Sequence, residues 1–340
     1  MTSDIHYLAP QILSAIKDSK NILLHCHLYP DPDSIGSVLA MTAALKQLGK
    51  RVTPIMGDSE FPEYFIDIPN KDWFVTKNYS QINPEDYDLF LILDSSGPHM
   101  VTQTGDVVFP KTMKTIAIDH HRTNHINADI NLIDTLCSST SELLFQLFSH
   151  WKIKIDKDMA LQLFLGIFAD TGGFKYMNTS PETFRVASEL VKINSNYHSL
   201  AYAIENHHKA LDLEIMGLAL SSIEKYSNNQ IAFSIFPYEL IQQKSLSRDE
   251  ASEALIPDTL RTVTDWRIVA SLVEMSPGEI QVSLRTRYED DYDVSKIAKA
   301  IGEKGGGHRG AAGTTIKQPL DTAKQSLLAI ISELYSEFKE

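Results

Sequence analysis

The sequence predicts an α/β protein of two domains. A mostly parallel, open-sheet N-terminal domain is followed by a smaller α/β domain, with an active-site cleft between them. Three observations predict this. The first half alternates short apolar runs with helix-like segments. Its run over 87–94 is nearly all apolar, as in a strand buried on both faces of a parallel sheet. The second half carries a different pattern, in which alternating runs are separated by a Ser276-Pro277-Gly278 turn.

Taken in order, the spacing predicts a strand over 21–27 and a helix over 34–48 that Gly49 stops. Strands follow at 51–56, 87–94 and 115–119, then helices at 139–151, 157–168 and 181–193. The segment 194–198 has no period and reads as a connector, so the domains are set at 1–193 and 209–340 with a linker at 194–208. Strands are expected over 231–236, 267–274 and 280–287. In the last of these Val282, Leu284 and Thr286 face one way and Ser283, Arg285 and Arg287 the other. A glycine-rich segment, Gly305 to Gly313, precedes a final strand and helix.

Composition narrows the classes of function. The chain has 340 residues, 43% of them hydrophobic, enough for two cores. It has no apolar run of about eighteen residues, and its start lacks the basic and apolar regions of a signal peptide, so a soluble protein is expected. Two cysteines, Cys26 and Cys137, suit a reducing cytoplasm. A net charge of −13 opposes a grip on long duplex nucleic acid and leaves small anionic substrates open.

Three of the expected strands end in polar residues, His27, Asp94 and Asp119, and ligands of open α/β sheets bind beyond the carboxyl ends of strands. His27, Asp31 and Asp33 lie within seven residues, a set that suits hard divalent ions; alternatively Asp33 caps the helix and Asp31 makes a turn. His25 either packs within the strand or supports the site from behind. Asp94 closes a buried strand, where a carboxylate needs neutralising by a metal or by turn amides. In Asp119-His120-His121 the adjacent imidazoles diverge, so one is free to ligate while the other faces substrate and Asp119 orients a ring. Asp170 ends a helix, where the dipole disfavours a carboxylate unless a cation is near; alternatively it is a loop aspartate in a Thr-Gly-Gly turn. Gly305, Gly306, Gly307, His308 and Arg309 suit close approach of backbone N–H groups to an anion, with a hinge as the alternative. The pair His207-His208 reads as solvent-exposed in a polar helix.

With these motifs in this order, the chain resembles the DHH phosphoesterase family along nearly its whole length. The resemblance rests on His-x-x-Pro-Asp-x-Asp from His27, the strand-end Asp94, Asp119-His120-His121 and Gly166-x-x-x-Asp170-Thr171-Gly172. Val282-Ser283-Leu284-Arg285 and Gly305-Gly306-Gly307-His308 look like the companion C-terminal domain. Lys175 and Arg309 depart from the family pattern and touch substrate preference.

The resemblance implies two divalent ions, Mn²⁺ first, with Mg²⁺ or Co²⁺ as alternatives. One would take His27, Asp31 and Asp94; the other Asp33, Asp94, His120 and Asp170, with Asp94 shared. Such a pair stabilises both the entering and leaving oxygens of an in-line displacement. His121 would contact the phosphate, and Arg285 with the 305–309 loop would hold the far end of the substrate. The implied substrates are short: pApA, nanoRNA, pAp and cyclic dinucleotides. The branch is that of stand-alone nano-RNases and pAp phosphatases, and a homodimer is implied. A dedicated cyclic-di-AMP phosphodiesterase and a RecJ-like single-strand exonuclease are alternatives within the family. A pyrophosphatase fits the C-terminal motifs less well. A non-catalytic nucleotide binder would be expected to have lost a ligand, and all are present.

Overall fold

The protein is described from a computed structural model, which covers residues 4–121, 124–302 and 305–338. Arg122 and Thr123, which follow the double histidine, lie outside the described residues. The chain divides between His207 and His208 into two compact units.

The first unit contains α1 (Ile5–Asp18), β1 (Asn21–His25), α2 (Pro32–Gln47), β2 (Arg51–Ile55), β3 (Leu89–Leu93), β4 (Lys114–Asp119) and β5 (Ile130–Ile133). Helices α3 (Thr140–Trp151), α4 (Lys157–Asp170), α5 (Pro181–Ile193) and α6 (His198–Glu205) follow. The five strands are all parallel, in the order β2-β1-β3-β4-β5. Every side chain of β3 is buried, as its unbroken apolar run requires of a strand covered on both faces. The order reverses direction between β1 and β3, so crossovers leave β1 and β3 towards opposite sides. A crevice opens beyond their carboxyl ends.

Two glycines bring α2 against α4. A methyl group at Gly36 would collide with the Gln162 carbonyl, and one at Gly166 with the Ser141 hydroxyl and the Asp33 carboxylate. The close approach sets Asp33, on α2, beside the end of α4 that carries Asp170.

Three elements of the first unit differ from the sequence reading. The polar start folds as α1, with Asp4 capping its first turn and Ala9, Ile12, Ala15 and Ile16 forming a buried stripe at helical spacing. The four-residue edge strand β5 is too short to show a period. The expected linker is not an open connector: α6 lies within it, and Leu200 and Ala201 are buried in the core of the first unit. Leu200 and Ala201, with the partly buried Ile204, dock that helix.

The second unit contains α7 (Ala210–Ser221), β6 (Glu224–Tyr226), β7 (Ile231–Phe236), α8 (Tyr238–Lys244), α9 (Arg248–Ser252), α10 (Pro257–Leu260), β8 (Ile268–Ser276), β9 (Glu279–Arg285), α11 (Val294–Ile301), β10 (Gly306–Gly307), β11 (Ala311–Lys317) and α12 (Leu320–Leu334). Its sheet has the order β10-β11-β9-β8-β7-β6 and is antiparallel except between β7 and β8. Strand β9 alternates strictly, with Ile280, Val282 and Leu284 buried.

Candidate metal centre

The loops beyond β1, β3 and β4 deliver the chemistry. His27 leaves β1 two residues after its last member, and its backbone N–H is held by the Ser34 hydroxyl at 3.1 Å. Asp31 caps α2, accepting from the Ser34 N–H at 2.9 Å, and Asp33 sits fully buried in the first turn of the helix. Asp94 follows β3 with a left-handed backbone, φ 50°, which aspartate tolerates better than most residues. Its N–H reaches the Ile118 carbonyl at 3.0 Å, so β4 pins it.

These side chains converge. One side-chain nitrogen or carboxylate oxygen from each of His27, Asp31 and Asp94 lies within 4.8 Å of the other two, and the same holds for Asp33, His120 and Asp170. Asp94 faces both groups with different oxygens: Oδ2 is 3.4 Å from His27 Nε2, and Oδ1 is 3.6 Å from His120 Nε2. His120 Nε2 also lies 3.1 Å from Asp170 Oδ2. Asp119, Asp94, His120 and His121 form a further group at the β4 end.

The electrostatics are those of a site short of positive charge. Burial, then the charges of Asp94 and Asp170, push the Asp33 pKa well above the usual carboxylate range. Burial also raises Asp170, against the His120 hydrogen bond and with the charges of Asp94 and Asp31, to about 6. Burial alone would lower both imidazoles. Hydrogen bonds to Asp31 and Asp94 instead hold His27 at about 11, and Asp170 with the charges of Asp94 and Asp33 holds His120 at about 10. Protons on imidazole thus supply the compensating charge, which a divalent cation would supply without them.

The residues fit such a cation. His120 Nε2 is buried with two carboxylate oxygens aimed at it, Asp170 Oδ2 at 3.1 Å and Asp94 Oδ1 at 3.6 Å, an arrangement that one cation between them would satisfy. Four carboxylates with two imidazoles is a donor set for Mn²⁺-like ions.

Asp119 holds His121 rather than His120: its Oδ1 accepts from His121 Nδ1 at 2.7 Å and from the His120 N–H at 2.8 Å. Asn124 donates to the other Asp119 oxygen at 2.7 Å and to the Ser95 carbonyl. His25 is buried beside Phe90, with Nδ1 on the Cys26 carbonyl and Nε2 3.4 Å from the Ser95 hydroxyl.

The sequence reading missed the run Ser138-Ser139-Thr140-Ser141, all of it buried. At the start of α3, the Thr140 and Ser141 N–H groups donate to the two oxygens of Asp33 at 2.7 and 2.9 Å. The Thr140 hydroxyl donates to Asp94 Oδ1 at 3.0 Å. A polar run opening an apolar helix reads as a cap, and Ser139 is one, accepting from Glu142 N–H. The residues beside it do the further work of cradling carboxylates far off in sequence.

The other expected site residues belong to the second unit. Arg285, on β9, donates to Asp258 at 3.2 and 3.0 Å and to the Leu284 carbonyl. Gly306 and Gly307 form β10; Gly307 has φ 132°, and a methyl group at Gly305 would collide with the Ala298 carbonyl. The His308 N–H closes this hairpin on the Ala311 carbonyl, while the Arg309 guanidinium lies on the Glu289 and Asp290 carbonyls. His207 and His208 are exposed as expected, but 206–209 is not helical: His207 stacks on Tyr64, and His208 lies near Asp212 and Glu253.

Carboxylates and imidazoles gathered at the switch point of a parallel sheet can hold divalent metals, as a metal-dependent hydrolase of phosphate esters requires. Residues 21–167 match the DHH family N-terminal domain and residues 238–337 the DHHA1 domain, so the chain carries both domains in that order. It is 27% identical over 337 residues to a probable bifunctional oligoribonuclease and PAP phosphatase, NrnA, of Streptococcus mutans, spanning 96% of this chain and 97% of that protein. It is 26% identical to the bifunctional oligoribonuclease and PAP phosphatase NrnA of Thermus thermophilus, spanning 96% and 93%. Its fold is that of an exopolyphosphatase-related protein from Bacteroides fragilis, with a TM-score of 0.85 at 22% identity over 98% of both chains.

Proposed function

We propose that the protein hydrolyses short oligonucleotides and dinucleotides such as pApA, and removes the 3′-phosphate of pAp, using two Mn²⁺ ions. The observation that carries this is the split of Asp94, one oxygen towards His27 and the other towards His120. His27, Asp31 and Asp94 would hold one ion, and Asp33, Asp94, His120 and Asp170 the other. Two ions so held would polarise the phosphoryl group and acidify the attacking water.

His121 is the substrate-facing imidazole in this reading. Its Nδ1 is engaged by Asp119 and its side chain is half exposed, so Nε2 is the nitrogen available to a phosphate. The Asp119 hydrogen bond raises its pKa, favouring a donor towards developing negative charge. Asp119 is the residue that fixes this ring, and His25 supports the strand end behind it.

Arg285 and the Gly305, Gly306, Gly307, His308 and Arg309 segment are assigned the terminal phosphate. A guanidinium that already takes the two oxygens of Asp258 has the fork geometry a phosphate needs. The charge of −13 supports short substrates over long strands. Both cysteines are free and buried, and among the described residues no helix is long and apolar enough to cross a membrane; these support a cytoplasmic setting.

The test is product analysis with pAp, pApA, cyclic di-AMP, a five-nucleotide RNA and a fifty-nucleotide strand. Fast release of mononucleotides from pApA and the pentamer, absent under EDTA and restored by Mn²⁺, is expected. Preference for the cyclic substrate or the long strand would replace the assignment, and full activity in EDTA would end it.

A further inference from the structure

The run that opens α3 has no assigned part in the chemistry, yet it touches two of the carboxylates. The Thr140 and Ser141 N–H groups take one oxygen each of Asp33, and the Thr140 hydroxyl takes Asp94 Oδ1. The first-turn N–H groups of a helix are free of intrahelical partners and favour negative charge. That Oδ1 is the Asp94 oxygen facing His120, not the one facing His27. Every one of these contacts therefore falls on the Asp33–His120–Asp170 side of the centre.

Behind the tip lies a carboxylate that the mechanism does not use. Glu142 is 1% exposed, and its Oε2 accepts from the Ser138 N–H at 3.1 Å, the Ser138 hydroxyl at 2.5 Å and the Thr183 hydroxyl at 2.9 Å. Thr183 belongs to the first turn of α5. The Asn178 side chain bridges the Ser138 and Asp170 carbonyls. Glu142 and Asn178 thus tie the tip to α5 and to the end of α4. A buried carboxylate with three donors is a fixed point, because breaking any of the bonds leaves a buried charge short of partners.

We infer that the tip of α3 is a positioning device for one of the two ions, and that the Thr140 hydroxyl sets which Asp94 oxygen serves that ion. The inference rests on the two-ion reading above. Asp33 and Asp94 Oδ1 are held in place before any cation arrives. The ion bound by Asp33, Asp94, His120 and Asp170 gains affinity from this order, whereas the ion of His27 and Asp31 does not. Outer partners of metal ligands commonly change metal affinity by about 10–100-fold.

The experiment is Mn²⁺ titration followed by the electron paramagnetic resonance signal of free Mn²⁺, on the native chain, Thr140→Val and Thr140→Ser. Val keeps the shape of Thr without the hydroxyl; Ser keeps the hydroxyl. The expected result is that Thr140→Val weakens one of two Mn²⁺ equivalents by about 10–100-fold, leaves the other unchanged, and that Thr140→Ser restores native binding. Thr140→Ala replaces the Val variant if melting in EDTA shows that variant unfolded. Native binding of both equivalents by Thr140→Val or Thr140→Ala overturns the inference while leaving the metal assignment standing. Equal weakening of both equivalents, or failure of Thr140→Ser to restore binding, overturns it too. A native chain that takes up no Mn²⁺ contradicts the metal assignment along with it.

Discussion

The two groups of residues proposed to hold metal are built in opposite ways. His27 and Asp31 come from one loop, four residues apart, and the Asp31 side chain is half exposed. Asp33, His120 and Asp170 come from α2, the β4 end and the α4 end, and Asp33 is cradled by a fourth element, α3. One group needs little more than a local turn. The other needs three packed elements, two glycines and a buried serine-threonine run. A centre can therefore have one half set by short-range sequence and one half set by the packing of the whole domain.

Asp94 belongs to both halves, so breaking it breaks the comparison itself. Asp94→Ala should abolish turnover while the chain still folds, and His207→Ala, remote in role, should leave kcat unchanged. Near-native rates for Asp94→Ala would mean the centre is wrongly placed.

Gly166→Ala should come next, striking the tertiary half. Its methyl group would meet both Ser141 and Asp33, and overpacking of this kind costs about 1–3 kcal/mol. A melting point lowered by roughly 2–12 °C, with Mn²⁺ binding reduced, is the expected outcome. An alanine variant with unchanged melting and unchanged binding would show that the α2–α4 approach does not shape the site.

A smaller loss is expected for Asp31→Asn, in the local half. Its half-exposed position lets water replace a lost oxygen, so Mn²⁺ affinity should fall less than in Asp33→Asn. The reverse order, measured by the same titration, would undo the distinction between the halves.

The smallest effect on the chemistry belongs to Arg285, outside both halves. Arg285→Ala should raise KM for pApA by about 10–100-fold, since a charged hydrogen bond contributes about 1.5–3 kcal/mol. Hydrolysis of bis-p-nitrophenyl phosphate should stay within about twofold. Equal losses on both substrates would show that Arg285 serves the fold.

The same division explains what was legible in the sequence. The parallel sheet could be read because β3 is wholly apolar, β4 is built on Ile116-Ala117-Ile118, and Asp94 and Asp119 stand at their carboxyl ends. The gathering of the motif residues at one place could be read because chemistry-bearing residues stand at strand and helix ends. Helix α1 was hidden by its polar start and by Pro10, and α6 by having only two buried residues. The Ser138–Ser141 run was invisible as site chemistry because its hydrogen bonds to Asp94 and Asp33 span 46 to 108 positions. The bond from Arg285 to Asp258, from one strand to a short helix 27 positions away, has no sequence signature at all.

The central claim is that one carboxylate serves two ions. Titration of the metal-free chain with Mn²⁺, read by calorimetry and by melting temperature, tests it most directly. The account predicts two equivalents per native chain. At 100 to 1,000 times the dissociation constant, a bound ion stabilises by about 2.7–4.1 kcal/mol. Asp94→Ala should lose that stabilisation for both ions together. A single equivalent in the native chain, or an Asp94→Ala variant that keeps either ion at native affinity, would contradict it.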